Sequence, residues 1–350
     1  MLSRINTPVF PRTYKAGIPA RTCSFTGLIP KQDLDNMKMY VFDLDKTLLN
    51  GSSDDKRKII GLVHKPGNVL VYASRRSIKG MQQEAGRGKD LPLPNYYIAI
   101  DGQKLYKNSD GQMLEIAEYG DKLKEKFPKN KILNSLRQIE EEAGQRLFGV
   151  FQSYDDDPAL QIMIKPGYQE RVKKQLCEKL QEQGLDQEIT CDHLSNGTFE
   201  RFYGSDNTSI SRENKTRVEK LKKELGYPDR GFDSLYIPTG TKGQAAEYIM
   251  KQEKIEPEQL VSVGDGPNDA SLAALTKNGS GTWFIVISNA AEGLQKYIQS
   301  IAKGIQNLFN QHIVISPNPG AQGILDAIDP ENPYDLERCK KDHKIQEIYG

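Results

Sequence analysis

Short apolar runs that end abruptly in polar side chains recur along this chain. They lie at residues 39–42, 69–73 and 261–263, and each is followed at once by an acid, a hydroxyl or a glycine-rich turn. Short apolar runs bounded by turn residues are typical of buried parallel strands. In α/β proteins, such strands present reactive residues at their carboxyl ends. The pattern therefore predicts an α/β protein whose functional side chains follow these strands.

The middle of the chain differs in character from the segments on either side of it. Charged stretches with helical periodicity occupy residues 131–144 and 168–182, and strand-like segments lie between and after them. Strands that alternate with helices indicate a small separate α/β unit. We therefore predict an inserted domain at 123–229 between the two parts of a core domain, 38–122 and 230–329.

Four shorter segments carry their own predictions. Residues 160–165 alternate like a strand that is exposed on one face, and residues 198–202 are similar but weaker. Residues 234–238 are predicted to be the strand with which the chain returns to the core domain. The polar stretch 50–55 is predicted to be a flexible flap over the functional site.

Both ends of the chain are predicted to lie outside the two domains. Residues 1–37 form a basic, flexible leader, because residues 1–32 contain five basic residues and no acid. A disordered leader and a targeting or export segment are alternative interpretations, and the four prolines of this stretch fit poorly with an amphipathic transit helix. Residues 330–350 are rich in charge and are predicted to be a solvated tail.

Composition narrows the classes of function. A chain of 350 residues is about two domains long, and its net charge of +1 argues against a nucleic-acid binder that relies on bulk charge. No apolar run is long enough to span a membrane. Four scattered cysteines without metal-ligand or redox spacing favour free thiols in a reducing compartment. We expect a cytoplasmic location, with export or organelle targeting through the leader as the alternative.

Two acids at the end of the first apolar run are the main chemical signal. Asp43 and Asp45 are separated by one residue and are followed by the hydroxyl of Thr47. On a strand such acids point the same way. Like charges that lie close together repel each other unless a cation compensates them, and a divalent metal commonly does so. An ordinary polar turn after a strand is the alternative interpretation.

Three other segments supply complementary groups. Asp265 and Asp269 follow the run 261–263 in a turn that contains two glycines and a proline. Ser74 follows the run 69–73, and Lys242 precedes a helix-like stretch. Each segment alone has a structural explanation, such as a helix N-cap for Ser74. Together they provide a nucleophile, a hydroxyl donor, a cation and paired acids, all in loops after strands.

The order of these motifs identifies a family resemblance. The set of Asp43–Thr47, Ser74, Lys242 and Gly264–Asp269 resembles the haloacid dehalogenase superfamily. The long gap between Ser74 and Lys242 resembles the branch with a large inserted α/β cap. This resemblance implies a Rossmann-like, doubly wound parallel-sheet core with the cap inserted into it. Within that branch the chain is similar to the group of sucrose-phosphate and other sugar-phosphate phosphatases, to judge from segments 93–102, 285–290 and 319–325.

The resemblance also implies the roles of the catalytic residues. Asp43 would be the nucleophile and would form an aspartyl-phosphate. Asp45 would protonate the leaving alkoxide and then activate water. Ser74 would donate a hydrogen bond to a transferring oxygen, and Lys242 would compensate negative charge on Asp43 and on the phosphoryl group.

A magnesium site is implied in the same way. Its ligand set would be Asp43, Asp45, Asp265 and Asp269, with Asp45 contributing its backbone carbonyl. Oxygen ligands from carboxylates, carbonyls, water and phosphate are the ones that Mg²⁺ prefers. The substrate-binding residues would be Thr47, Arg76 and Asn268.

Two residues depart from the family pattern. Lys46 occupies a position where the family usually has glycine, and Arg75 replaces the glycine that usually follows the hydroxyl residue. Arg76 still matches the arginine that comes next. Both departures add bulk and positive charge near the predicted phosphate site. They favour a more anionic substrate or, alternatively, narrow the site.

The leading hypothesis is a Mg²⁺-dependent phosphatase that acts on a small phosphorylated metabolite, in particular a sugar phosphate. The alternatives are a phosphatase or phosphotransferase acting on a phosphoprotein or phosphoinositide, and a translocated or regulatory interaction protein that retains the fold. The expected partner is a small phosphorylated substrate, with no nucleic acid and no membrane span. The oligomeric state is left open.

Overall fold

The computed structural model describes residues 29–329 except for 87, 152–157, 186, 188, 195–211, 228–230 and 302–311. The strands of these residues are Met39–Asp43 (β1), Val69–Ala73 (β2), Tyr96–Ala99 (β3), Lys104–Ser109 (β4), Gln112–Glu115 (β5), Phe148–Phe151 (β6), Leu160–Ile164 (β7), Thr190–Leu194 (β8), Phe232–Ile237 (β9), Leu260–Gly264 (β10), Trp283–Val286 (β11) and Ile313–Ile315 (β12).

The helices alternate with these strands. Their bounds are Lys31–Leu34 (α1), Ser53–Val63 (α2), Ile78–Gln82 (α3), Ala117–Lys126 (α4), Lys129–Ala143 (α5), Gln169–Glu182 (α6), Arg212–Leu225 (α7), Lys242–Glu253 (α8), Ala270–Ala273 (α9), Glu292–Ile301 (α10) and Gly320–Ile328 (α11). Among the described residues, no helix is long and apolar enough to cross a membrane.

A large sheet forms the core domain, with strand order β12-β11-β10-β1-β2-β3-β4-β5. The strands from β12 to β3 run parallel, and β4 and β5 are antiparallel additions at one edge. Strand β1 lies between β10 and β2. The carboxyl ends of these three strands therefore meet at one edge of the sheet, which brings together the residues that follow them.

Both faces of the large sheet are covered. Along β1, Met39 and Val41 pack into one apolar cluster with helices α8 and α10, whereas Tyr40 and Phe42 pack into another with helices α2 and α11. All five residues of β1 are buried, as expected for a parallel strand with helices on both faces. The predicted doubly wound α/β core is confirmed.

A second sheet, with order β6-β7-β9-β8, forms the cap domain. All of its pairings are antiparallel. Helices α5 and α6 pack on one face, and helix α7 packs on the other through Val218 and Leu221. Strand β7 is therefore buried along its whole length. The predicted strand at 160–165 is present, but the prediction that one of its faces is exposed is wrong, because α7 covers that face.

Strand β9 belongs to the cap and not to the core. It pairs with β7 and β8, so the prediction of a core strand at 234–238 is wrong. Helix α4 precedes the cap and packs on the core, where the Tyr119 hydroxyl donates to the Gly102 carbonyl at 2.6 Å. We therefore propose that the cap extends from about Phe127 to Pro238, in place of 123–229.

The remaining segment predictions divide into two groups. The flap predicted at 50–55 is wrong in part, because Ser53 begins helix α2 and Ser52 and Asp55 cap its first turn. The end of the predicted leader packs on the core, where Ile29 is buried and its amide donates to the Ala327 carbonyl. Residues 1–28, 198–202 and 330–350 lie outside the described residues.

Candidate active site

Lys242 is the centre of the charged cluster at the carboxyl edge of the large sheet. It begins helix α8, directly after the N-cap residue Thr241, and its side chain is fully buried. Its Nζ lies 2.5 Å from Asp43 Oδ1 and 2.7 Å from Asp269 Oδ1. Burial alone would lower the pKa of Lys242, but the carboxylates of Asp269 and Asp43 raise it overall. The ammonium therefore stays charged inside the protein.

The turn after β10 holds two acids in different ways. Asp265 Oδ1 accepts a hydrogen bond from the Thr47 hydroxyl at 2.9 Å. Asp269 turns back toward its own loop, where its Oδ2 accepts from the backbone amides of Asp265 at 3.0 Å and Gly266 at 2.9 Å. A Cβ atom at Gly264 would lie 2.3 Å from Asp269 Cγ, so glycine is required there for this close approach.

The three buried acids Asp43, Asp265 and Asp269 fit a hard divalent cation. One carboxylate oxygen from each lies within 4.8 Å of the others. Burial raises the pKa of Asp43 well above its ordinary value against the opposing effect of Lys242, and burial likewise raises the pKa of Asp265. One ammonium among three carboxylates leaves excess negative charge, which a cation would compensate. An all-oxygen donor set is the one that Mg²⁺ prefers.

The contacts divide these acids further. Both Asp269 oxygens already accept hydrogen bonds, from Lys242 and from the backbone. Among the described residues, no donor reaches the second oxygen of Asp43 or that of Asp265. Asp43 and Asp265 are therefore better placed than Asp269 to offer an oxygen to a metal ion.

Asp45 lies apart from this cluster, and its carboxylate is held by two residues that follow β2. The Ser74 hydroxyl donates to its Oδ2 at 3.1 Å, and the Arg76 guanidinium contacts both of its oxygens, with Nε 2.9 Å from Oδ2. Arg76 also donates to Glu84 at 2.6 Å. The hydrogen bond to Asp45 contributes most to raising the pKa of Arg76. Ser74 and Arg76 therefore contact Asp45 and not Asp43.

Lys46 adopts a left-handed backbone conformation with φ 60°. This geometry explains why glycine suits the position, since a side chain there costs about 1 kcal/mol or more. The Lys46 carbonyl accepts a hydrogen bond from Asn289 Nδ2 at 3.0 Å, and its side chain is exposed. The lysine therefore fits the turn without filling the cluster of acids.

Asp101 is a site residue that the sequence motifs did not identify. It follows β3, has φ 54°, and its Oδ1 accepts a hydrogen bond from Asn268 Nδ2 at 2.6 Å. Its amide donates to the Ser74 carbonyl. The signal that could have found it is its position, because it ends the next strand along the same edge of the sheet.

A cavity of about 350 Å³ lies between the core and the cap beside these residues. The core contributes Arg75, Asp101 and Asn268, and the cap contributes Lys173 and Tyr236. No sequence motif marks the cap residues, so their place in the site could not be predicted. The predicted site residues thus gather in two connected groups at the floor of a cleft that the cap covers.

Comparison with known proteins places the chain in a family. Residues 40–307 match the family model described as haloacid dehalogenase-like hydrolase, which covers most of the chain. The chain therefore belongs to the haloacid dehalogenase-like hydrolases, and the prediction of an enzyme of this superfamily is confirmed. A putative HAD-like hydrolase from Nitrosococcus oceani is 24% identical over 267 residues, which is 73% of this chain. The match spans 60% of that relative's length.

Two solved structures resemble this one. The sucrose-phosphatase from a Synechocystis species, solved in complex with sucrose and phosphate, has a TM-score of 0.53 at 17% identity, covering 83% of this chain and 96% of its own. A haloacid dehalogenase-like hydrolase from Bacillus subtilis has a TM-score of 0.49 at 16% identity, covering 83% and 90%. The first likeness supports the shared fold of core and cap.

Proposed function

We propose that this protein is a Mg²⁺-dependent phosphomonoester hydrolase that acts on a small phosphorylated metabolite, in particular a sugar phosphate. The observation that carries the proposal is the buried contact of Asp43 with Lys242 among acids that fit a metal ion, beside a covered cavity. The size of the cavity, about 350 Å³, favours a small substrate over a phosphoprotein or phosphoinositide. The sucrose-phosphatase with a similar fold supports the same substrate class.

In the proposed reaction, an oxygen of Asp43 attacks the phosphorus atom, and the bond from phosphorus to the leaving oxygen breaks. The product of this step is an aspartyl-phosphate on Asp43 and a free alcohol. Lys242 keeps Asp43 ionised despite its burial and stabilises the negative charge that gathers on the phosphoryl oxygens. Water then attacks the phosphorus atom, which releases inorganic phosphate and restores the Asp43 carboxylate.

Asp45 is the proposed general acid and base. It protonates the leaving alkoxide in the first step and removes a proton from the attacking water in the second. Ser74 and Arg76 orient its carboxylate through the hydrogen bonds described above. We therefore assign Arg76 a positioning role through Asp45, in addition to the substrate contact expected from the sequence.

The proposed magnesium ligands are the carboxylates of Asp43 and Asp265 and the backbone carbonyl of Asp45. When bound, the ion neutralises the phosphoryl charge and holds that group in line for attack. Asp269 is proposed to shape the loop of Asp265 and to hold Lys242 in place. Asn268 and Thr47 line or support the same pocket and remain candidates for substrate binding.

A phosphate-release screen tests this function. Purified protein with Mg²⁺ is assayed against a panel of phosphomonoesters, beside Asp43→Asn and the control Asp54→Asn, whose carboxylate lies on the exposed surface of α2. We expect Asp43→Asn to lose at least about 10³-fold in kcat, because the nucleophile is removed. Asp54→Asn should retain activity. Equal activity of wild type and Asp43→Asn, or no release from any ester, would exclude the proposed phosphatase and favour a non-catalytic role.

A further inference from the structure

The cavity between core and cap has a positively charged lining that the proposed reaction does not use. Arg75 contributes from the core and Lys173 from helix α6 of the cap, and Asp101 is the one acid among the described lining residues. The lining carries a net charge of +1. The phosphoryl group itself already has Lys242 and the proposed metal ion to compensate its charge. The two cavity cations therefore suit a second negative group elsewhere on the substrate.

The core wall of the cavity lies directly beside the reaction site. Arg75 follows Ser74 in the chain, Thr241 precedes Lys242, and Asn268 precedes Asp269. A substrate whose phosphoryl group contacts Asp43 would therefore extend its leaving group into this cavity. Whatever the leaving group carries would then meet Arg75 and Lys173.

Arg75 is held in a fixed position at the boundary of the two domains. Its guanidinium lies 4.5 Å from the centre of the Tyr236 ring of the cap, and its Nε lies 3.7 Å from Asp101 Oδ2. Stacking on an aromatic ring uses the face of the guanidinium, whereas carboxylates and phosphates are bound through its N–H edge. Stacking on Tyr236 is therefore compatible with recognition of an anion.

Lys173 faces the cavity from the opposite wall. It lies on α6, is half-buried, and has no ion-pair partner among the described residues. The charge of Asp101 does not cancel this cation, because Asp101 is paired with Asn268 and Arg75 on the core side. A partly enclosed ammonium without a partner is stabilised when an anion binds beside it.

We propose that the preferred substrates carry a second anionic group, a carboxylate or a second phosphate, which binds between Arg75 and Lys173. This inference rests on the proposed phosphatase function and specifies its substrate class. Because the two cations come from different domains, an anion between them joins the cap to the core. The presence of arginine in place of the usual glycine at position 75 then has a role in specificity.

Matched pairs of substrates test the proposal. Glucose 6-phosphate is compared with 6-phosphogluconate, which adds a carboxylate, and fructose 6-phosphate with fructose 1,6-bisphosphate, which adds a phosphate. In wild type we expect kcat/KM to be roughly 10-fold higher for at least one doubly anionic member of these pairs. Arg75→Gln and Lys173→Gln should each reduce this ratio roughly 10-fold, mainly through KM. The control Lys174→Gln, a neighbouring exposed lysine of α6, should leave the ratio unchanged.

Binding to the inactive Asp43→Asn variant separates this inference from the phosphatase proposal. Calorimetric titration of both pairs should show tighter binding of the doubly anionic ligand, and Lys173→Gln in the same background should remove the difference. Hydrolysis by wild type without a preference in either pair would overturn the inference and leave the phosphatase intact. A binding preference without hydrolysis by wild type would support the anion site and overturn the phosphatase. The absence of both would overturn both proposals.

Discussion

At the scale of single residues, the buried ammonium of Lys242 is the most demanding feature of the site. A charged group without water is tolerated when paired groups compensate it, and Asp43 and Asp269 do so at hydrogen-bond distance. The same ammonium keeps neighbouring acids from repelling each other. Structure and catalysis thus depend on one side chain, which explains why it begins a helix that packs firmly on the core.

Replacing Lys242 by methionine should therefore destabilise the fold. Lys242→Met leaves buried carboxylates without their cation, and we expect the free energy of unfolding to fall by about 3–5 kcal/mol. Urea denaturation in the presence of a chelator measures this change. The matched variant Lys220→Met replaces an exposed lysine of α7 and should change stability by less than about 0.5 kcal/mol. A similar loss in both variants would contradict a special role for the buried ion pairs.

The residues that end strands could be predicted because strand position and chemical type are local properties of the sequence. Asp43, Ser74 and Asp265 follow adjacent strands, and the structure places them along one edge. The docking of Asp45 on Arg76 and the pairing of Asp101 with Asn268 could not be predicted. These contacts depend on rotamers and on loop conformations that no motif specifies.

At the scale of elements, the turn after β10 depends on a single small residue. Gly264 lies against the Asp269 side chain, which in turn accepts from two backbone amides of the loop. The turn, the placement of Asp265 and the orientation of Lys242 are therefore coupled through Asp269. A change at Gly264 should act on the site without altering any charged group.

Gly264→Ala should cost about 1–3 kcal/mol in stability, because the added methyl overlaps Asp269. We also expect kcat to fall at least roughly 10-fold, since Lys242 and Asp265 lose their support. Gly61→Ala in helix α2 is the control, because nothing lies within 4 Å of the added atom. It should stabilise the protein by about 0.5–1 kcal/mol and leave kcat unchanged. Thermal denaturation and steady-state kinetics measure both effects, and a neutral Gly264→Ala would show that the turn adapts.

The assignment of β9 to the wrong domain illustrates the limit of local patterns. Its apolar residues Leu235 and Ile237 read equally well as part of either sheet. The choice is made by pairing with β7, in which Leu160 lies opposite Ile237, and with β8 on the other side. Such pairings join residues far apart in sequence, so the strand could be predicted but its sheet could not.

At the scale of the whole molecule, binding of a divalent cation should stabilise the folded state. The cation compensates carboxylates that the fold has brought together and that are far apart in an unfolded chain. Mg²⁺ at about 100 times its dissociation constant would add about 2.7 kcal/mol. We therefore expect the melting temperature of metal-free protein to rise as MgCl₂ is added at constant ionic strength.

Asp265→Asn should reduce this Mg²⁺-dependent rise, because one proposed ligand loses its charge. The control Asp54→Asn, which alters an exposed carboxylate, should retain the full rise. Differential scanning fluorimetry or calorimetry makes the comparison, and the readout does not depend on catalytic turnover. An equal rise in both variants would indicate that Mg²⁺ binds at another place.

The connection between β9 and α8 has a consequence for how such proteins can be recombined. Residues 238–241 are the whole link between the last cap strand and the helix that carries Lys242. Gln103 of the core fixes this link, since its Oε1 accepts from the amide and hydroxyl of Thr239 and its Nε2 contacts the Tyr236 hydroxyl. A foreign cap grafted at this seam would bring its own final strand within a few residues of the catalytic lysine. Exchange of caps between relatives would therefore succeed where that strand and its connection are inherited together with the host core.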